Sequence, residues 1–229
     1  MANIQQARRL LTRTGWLSQQ AEAFQQRVLG SCMLKRFNAG HVIFSPGDPP
    51  GGIFGLVEGA VTVTVAGNAS GPHLLHIALP GSWVGDGSFL AREPGRIGLQ
   101  AVVETWMMRL PFDAMEEIVR LEASSIERFA KVLLASVDIL LRAYSDLQDP
   151  DDARRIASTL LRIAPEPGTS IPLTQAEIGA MSAASRKQVN AVLQRFMSAG
   201  WVKKGYRSVT VDNIPALWRF AHDQAPTLR

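Results

Sequence analysis

The chain has 229 residues, 46% of them hydrophobic and 19% charged, enough for one large or two medium folded domains. No apolar run approaches the ~20 residues that span a bilayer, so no membrane partner is expected. The start, MANIQQARRLLTRTGWL, carries charges and glutamines where a signal peptide needs an apolar core, which leads to the expectation of a cytoplasmic protein.

The single cysteine, Cys32, leaves no internal disulfide. Alone it cannot supply a structural zinc site or the four thiolates of an iron–sulfur cluster, and it reads as a buried small apolar residue. The net charge of +4 is unevenly placed. From Asp151 onward 11 Lys+Arg face 6 Asp+Glu, a net of +5, which leaves 13 against 14, a net of −1, for residues 1–150. Between Ile171 and Thr210 six basic residues meet one acid, Glu177. Positive charge gathered in one segment is the electrostatic footprint of nucleic-acid binding.

In chain order, Ile4–Leu11 and Gln19–Leu29 read as helices. Trp16, Leu17, Phe24, Val28 and Leu29 form an apolar stripe that packs onto the next elements of the chain. From Lys35 to Leu110 short β-rich runs recur: His41–Phe44, Ile53–Val57, Ala60–Ala66, His73–Leu79, Ser82–Val84, Ile97–Val103 and Thr105–Leu110. Turn residues separate them, including Ser45–Gly52 and a Gly-Asn-Ala-Ser-Gly-Pro turn from Gly67. Many short strands at near-regular spacing predict an antiparallel sandwich or jelly roll. The alternation Val61-Thr62-Val63-Thr64-Val65 describes a strand buried on one face.

Pro111 ends the last strand, and a short helix to Leu121 leads into a long one from Glu122 to Leu147. In the long helix Ile126, Ala130, Leu133, Val137, Leu140, Tyr144 and Leu147 are spaced 4, 3, 4, 3, 4, 3, an unbroken heptad seam. Phe129, Leu134 and Leu141 read as a second stripe, so that one face serves the protein's own sheet. The other face fits a symmetry mate in a parallel two-fold coiled coil, or a helix buried twice within one chain. In the first reading Ile126, Leu133, Val137, Leu140, Tyr144 and Leu147 form the interface of a homodimer. Asp149-Pro150-Asp151-Asp152 then breaks the chain and starts a new helix, a natural hinge.

Ala153–Ile163 comes next as helix and Ala164–Ile171 as loop. Thr174 with Glu177 three residues on makes a capping box for a short helix carrying Ile178 and Met181. Ser182-Ala183-Ala184 contains nothing bulky, so two helices can cross closely there. Ser185 caps the second helix, whose core positions are Val189, Val192, Leu193 and Phe196. Arg186, Lys187, Gln188, Asn190 and Arg195 are left outside, donors suited to guanine edges, adenine edges and phosphates. Gly200 closes the helix. Trp201-Val202 and Tyr206–Val211 read as strands around a basic turn, Lys203-Lys204-Gly205, and Pro215–His222 as a closing helix with Leu217, Trp218 and Phe220 inward.

This is the pattern of a winged helix-turn-helix, the alternative being a helical hairpin with a solvated basic face. The candidate contacts to double-stranded DNA are Thr174, Gln175, Ser185, Arg186, Lys187, Gln188, Asn190, Lys203, Lys204 and Arg207. The fold class is α+β: an N-terminal antiparallel β-roll, a long dimerisation helix and a C-terminal winged helix-turn-helix.

That layout resembles the bacterial catabolite activator and fumarate–nitrate regulator (Crp/Fnr) family over nearly the full length. The closest local likeness is Thr174-Gln175-x-Glu177-Ile178-Gly179 with Ser185-Arg186-x-x-Val189, together with Arg155-Ile156-Ala157 and Leu160-Leu161. A second is the glycine-punctuated roll, Gly40, Phe44, Gly47, Gly59, Pro80-Gly81 and Gly85. The resemblance implies a dimeric transcription regulator on a palindromic operator, with a contact to RNA polymerase. It divides the chain into residues 1–121, a sensing roll, 122–149, a dimerisation helix and hinge, and 150–229, a DNA-binding domain.

It also implies that Arg186 reads guanine. Lys187 stands where the family often has glutamate, and Ala191 where it has an arginine-type reader, so neighbouring base pairs should differ. For the effector it points to Gly85, Asp86, Gly87 and Ser88 for a ribose and to Arg96, ten residues past Asp86, for a cyclic phosphate. Leu140 and Leu141 stand where hydroxyls would meet a base, Ile97 stands where a small hydroxyl would, and Asp86 is a methylene shorter than the family's glutamate.

A cyclic nucleotide (cAMP or cGMP), a different small ligand, and an empty pocket with Asp86 and Arg96 ion-paired all remain open. So does a sensing module that acts on a protein partner and keeps a vestigial DNA-binding domain. No resident cofactor, metal site or catalytic residue is expected. His41, His73, His76 and His222 show no axial-ligand pattern, and clustered His/Glu ligands near Ser88, as a β-roll enzyme would need, are absent.

Overall fold

The computed structural model describes residues 3–66 and 71–223, apart from the side chain of Asp86. The turn expected from Gly67 lies largely outside the described residues. Two compact units emerge, one reaching to Asp138 without Leu74–His76, the other holding Leu74–His76 and Ile139 onward. Each is built around its own core.

The first unit opens with three helices, α1 (Ile4–Leu11), α2 (Gly15–Ser18) and α3 (Glu22–Ser31). The strands are β1 (Met33–Phe37), β2 (Val42–Phe44), β3 (Ile53–Glu58), β4 (Val61–Val65), β5 (His73–Ala78), β6 (Trp83–Val84), β7 (Ile97–Ala101) and β8 (Thr105–Leu110). A short helix, α4 (Asp86–Ala91), sits between β6 and β7, and α5 (Phe112–Leu121) and α6 (Ser125–Leu147) come after β8. The strands form two four-stranded antiparallel sheets, β1-β8-β3-β6 and β2-β7-β4-β5. This is the expected jelly roll, and Val61 and Val63 are buried as their alternation requires.

Two elements escape the periodicity. β1, Met-Leu-Lys-Arg-Phe, is an edge strand that buries nothing completely, and charges at an edge are how sheets avoid unwanted pairing. α4 begins Asp-Gly-Ser, which reads as a turn.

β3 is buried along almost its whole length because it has a layer on each face. Ile53 and Val57 join the helical layer with Leu11, Leu17, Phe24, Val28, Met108, Leu110 and Met115. Phe129 of α6 centres that layer, with ring centroids 5.9 Å from Trp16, 5.8 Å from Phe24 and 5.6 Å from Phe89. The Trp16 indole N–H donates to the Arg128 carbonyl at 2.7 Å, so this buried ring has its polar atom satisfied. Cys32 is buried in the same layer, as expected.

α6 begins at Ser125, three residues later than its apolar pattern suggests. Glu122 ends α5, where its carboxylate pairs with Arg27 (3.0 Å) and Arg128 (2.7 Å). The second stripe also needs correction. Phe129 is buried, but its companion in that layer is Val132, whereas Leu134 and Leu141 are exposed. At 100° per residue both leucines fall beside the heptad seam and widen it. The seam itself is exposed at Ile126, Leu133, Val137, Leu140, Tyr144 and Leu147.

The second unit contains α7 (Asp152–Ile163), β9 (Thr169–Ile171), α8 (Gln175–Ser182), α9 (Arg186–Ser198), β10 (Val202–Gly205), β11 (Ser208–Val211) and α10 (Ile214–His222). Asp151 caps α7 by accepting from Ala153 N–H at 2.8 Å. The sheet order is β10-β11-β9. β9 lies in the segment expected as loop, a three-residue strand held only by its pairing with β11. Ile156, Leu160, Ile171, Ile178, Val189, Leu193, Phe196, Val209 and Leu217 fill the core. Phe220 stacks edge-on to Phe196 at 5.4 Å. Trp218 does not pack inward: it is exposed and stacks on His222 at 4.9 Å, one helical turn along the outer face of α10.

Candidate nucleic-acid interface and effector site

The two helices of the motif are fixed by matched caps. Glu177 N–H donates to Thr174 Oγ1 at 3.2 Å, and Thr174 N–H returns a bond to Glu177 Oε2 at 2.7 Å. Ser185 and Gln188 repeat the arrangement on α9 at 3.2 and 2.8 Å. Gln188 therefore has its side-chain oxygen committed to its own helix start. The signal is present in the sequence as Ser-x-x-Gln, the same spacing as Thr174-x-x-Glu177.

The turn between the helices is tight for a definite reason. A Cβ on Gly179 would stand 2.4 Å from the Ala184 carbonyl oxygen, so only glycine lets the chain pass. Ala183 ends α8 in the left-handed conformation at φ 49°. Its carbonyl and that of Ser182 both accept from Arg155, at 3.2 and 2.8 Å, and a third Arg155 bond reaches the Asp149 carbonyl at 2.7 Å. One guanidinium thus ties the turn to the end of the segment that precedes α7. Arg154 adds an ion pair to Asp149 at 3.2 Å.

Arg186 and Lys187 occupy the first two positions of α9, both exposed. With Gln175, Asn190 and Lys204 they line a shallow depression between the start of α9 and the wing. Asn190 Oδ1 accepts from Gln175 Nε2 at 2.9 Å, a strut between the two helices. Arg195, an outward donor by its position in the sequence, lies over the Phe220 ring at 4.7 Å.

The wing differs from the sequence reading. Lys203 and Lys204 lie within β10, Gly205 pairs with Ser208, and the two-residue tip is Tyr206-Arg207. Arg207 is left-handed there (φ 49°), and Tyr206 is 93% exposed. Lys203 pairs with Asp212 at 2.9 Å, whereas Lys204 and Arg207 remain exposed beside Arg186.

In the roll, Gly85 caps α4 at φ 103°, and a Cβ there would come within 2.8 Å of the Gly52 carbonyl oxygen. Ser88 Oγ donates to the Gly85 carbonyl at 3.2 Å. Gly87 faces Leu133 of α6, its built Cβ lying 4.0 Å from Leu133 Cδ1. The expectation for the Asp86 carboxylate, including an Asp86–Arg96 ion pair, lies outside the described residues. Arg96 is 84% exposed on its side chain and pairs with Glu93 at 2.9 Å. Leu140 and Leu141 are exposed on α6. Among the described residues no group of three or more His, Cys, Asp and Glu could hold a metal ion, and no helix is long and apolar enough to cross a membrane.

Comparison with known proteins matches this layout. The family model of the cyclic nucleotide-binding domain matches residues 34–122, and that of the Crp-like helix-turn-helix domain matches residues 154–220. A CRP-like cAMP-activated global transcriptional regulator of Mycobacterium tuberculosis is 26% identical over 193 residues, 81% of this chain and 86% of that protein. The cAMP-activated global transcriptional regulator Vfr of Pseudomonas aeruginosa is 22% identical over 187 residues, 77% of this chain and 87% of that protein. Among solved structures, FixK2 of Bradyrhizobium japonicum shares the fold with a TM-score of 0.72 at 17% identity, covering 85% of this chain and 99% of that one. The c-di-GMP responsive regulator CLP of Xanthomonas campestris does so with a TM-score of 0.65 at 18% identity, covering 84% of this chain and 99% of that one. Such relatives are regulators of transcription, not enzymes. With a cyclic nucleotide-binding roll ahead of a Crp-like helix-turn-helix, the chain belongs to the Crp/Fnr family of transcription regulators.

Proposed function

We propose that the protein works in the cytoplasm as a homodimer on a palindromic double-stranded DNA operator, with α9 as recognition helix in the major groove, and that it contacts RNA polymerase there. Residues 1–121 sense, 122–149 dimerise and 150–229 bind DNA. The observation that carries this reading is the set of exposed cations, Arg186, Lys187, Lys204 and Arg207, gathered at the capped start of α9 and on the wing. The exposed seam of α6, from Ile126 to Leu147, supplies the surface for the second protomer. Two-fold symmetry then sets two Arg186 side chains about one DNA turn apart, ~34 Å.

Within each half-site Arg186 reads a guanine edge, Lys187 the neighbouring position, and Lys204 and Arg207 the backbone, while Thr174, Gln175 and Ser185 approach phosphates from the motif's ends. Gln188 and Asn190 accept bonds within the motif through their side-chain oxygens and offer their amide N–H groups to base edges. The roll binds a small effector, a cyclic nucleotide such as cAMP or cGMP, against Gly85–Ser88 and Arg96. The cyclic nucleotide-binding match and the cAMP-activated relatives support that choice. Effector binding shifts the population of DNA-competent dimers through α6 and the Asp149–Asp152 hinge.

Footprinting of purified protein on selected DNA tests the core of this reading. A protected palindrome is expected. Arg186→Ala should cost about 1–3 kcal/mol of discrimination at one base pair per half-site, while Lys204→Ala weakens all sequences alike. Absence of any protected palindrome at low salt refutes the proposal.

A further inference from the structure

The roll contains a cation that neither the family resemblance nor the sequence pattern singles out, Arg109. Across the first sheet, Met33 of β1, Arg109 of β8, Phe54 of β3 and Val84 of β6 are register partners in one lateral row and so share a face. That face is the interior of the roll. The Phe54 ring lies 5.8 Å from Phe44, which belongs to the opposite sheet, and 6.5 Å from Phe37. Arg109 is half-buried, with its guanidinium 5.9 Å from the centroid of Phe54. Its Nε and Nη2 both donate to the Gly51 carbonyl, at 3.2 and 3.0 Å.

This arrangement orients the group. The Nε side is anchored to backbone, while Nη1 and the outer hydrogen of Nη2 form an end-on fork with no partner among the described residues. Such a fork matches the two oxygens of a phosphate or carboxylate, and Phe54 beside it, itself packed on Phe37 and Phe44, offers an aromatic face to a flat ring. Arg96, by contrast, is turned to solvent with Glu93 as its partner. Arg109 also lies next to the segment that would answer to a ligand. Gly51 is bonded to Arg109, Gly52 is packed against Gly85, and Gly85 starts α4, whose Gly87 faces α6.

We infer that Arg109 is the anion-binding residue of the effector pocket, which takes a small planar ligand with a phosphate or carboxylate group. The inference rests on the reading of the roll as an effector site and names the group that holds the effector's charge.

The test is calorimetric titration of the full-length protein with cAMP, cGMP and benzoate, on wild type, Arg109→Gln, Arg109→Lys and Arg96→Gln. At least one of these anions binds the wild type. Arg109→Gln weakens it tenfold or more, Arg109→Lys threefold or more because an ammonium keeps the charge but not the fork, and Arg96→Gln less than Arg109→Gln does. Binding that survives Arg109→Gln within twofold, or falls furthest in Arg96→Gln, overturns the inference while leaving a cyclic-nucleotide regulator intact. Benzoate binding that depends on Arg109, with neither nucleotide bound, upholds it and removes the cyclic nucleotide from the functional reading. No binding of any of the three overturns both. Melting of each variant without ligand serves as the folding control. Where Arg109→Gln does not fold, the order of Arg109→Lys and Arg96→Gln decides.

Discussion

At the scale of single residues, Gly179 shows how little space separates a working motif from a broken one. A methyl group there meets the Ala184 carbonyl oxygen 2.4 Å away, so α8 and α9 must move apart. Gly179→Ala should therefore destabilise the DNA-binding unit by about 1–3 kcal/mol, the usual cost of overpacking, read by urea denaturation. Wild-type stability in that variant would mean that the turn has room for a methyl group after all. Cys32 makes the opposite point. Burial pushes its thiol up to about 12, the nearby Arg8 only partly opposing this, so the thiolate is scarce at any ordinary pH. Iodoacetamide at pH 8 should leave Cys32 unlabelled until denaturant is added. The linkage has a definite sign. In the unfolded chain the thiol ionises near 9.0 and in the fold near 12, so its contribution is complete below pH 9 and is lost as pH rises through 12.

At the scale of elements, α6 has two faces with different consequences. Phe129 is fully buried among Trp16, Phe24 and Phe89, and Phe129→Ala should cost about 3–5 kcal/mol of stability in the first unit. Val137 and Leu140 lie on the exposed seam, where a substitution changes the stability of a lone protomer by about 0.5 kcal/mol or less. Val137→Glu with Leu140→Glu should halve the mass seen by analytical ultracentrifugation while circular dichroism stays unchanged. A dimer that survives this double change would place the two-fold contact elsewhere. Periodicity puts the helix start three residues too early, because Glu122 belongs to a junction held by Arg128 of α6 and by Arg27, a residue distant in the chain. Both capping boxes are legible from spacing. Its outward position makes Gln188 a candidate DNA donor, and its side-chain oxygen also closes the box at Ser185.

At the scale of the molecule, the +5 of residues 151–229 against the −1 of residues 1–150 concentrates the field on one end of the chain. Lys187, Lys204 and Arg207 are exposed, while Lys203 is partnered by Asp212. Two backbone cations in each half-site, Lys204 and Arg207, give about four per dimer, for a slope of roughly −4 in log affinity against log salt. Filter binding between low and moderate salt measures it, and a slope near zero would refute electrostatic docking.

Much of the architecture can be read directly. Strand alternation, the heptad seam, the Asp-Pro break and the hydroxyl caps are local patterns of period 2 or 3.6, and each forces a backbone choice wherever it occurs. Elements without a period, β1, α4 and β9, are not legible, since each exists only through what it pairs or packs with. The same division governs the side chains. Sequence determined which cations the chain owns and that they gather on a helix-turn-helix. The tertiary structure alone decided which of them are spoken for: Arg195 by Phe220, Lys203 by Asp212, Arg96 by Glu93 and Arg155 by three carbonyls. It also decided that Arg109 faces the inside of the roll, because a strand's inward face is set by its neighbours across the sheet.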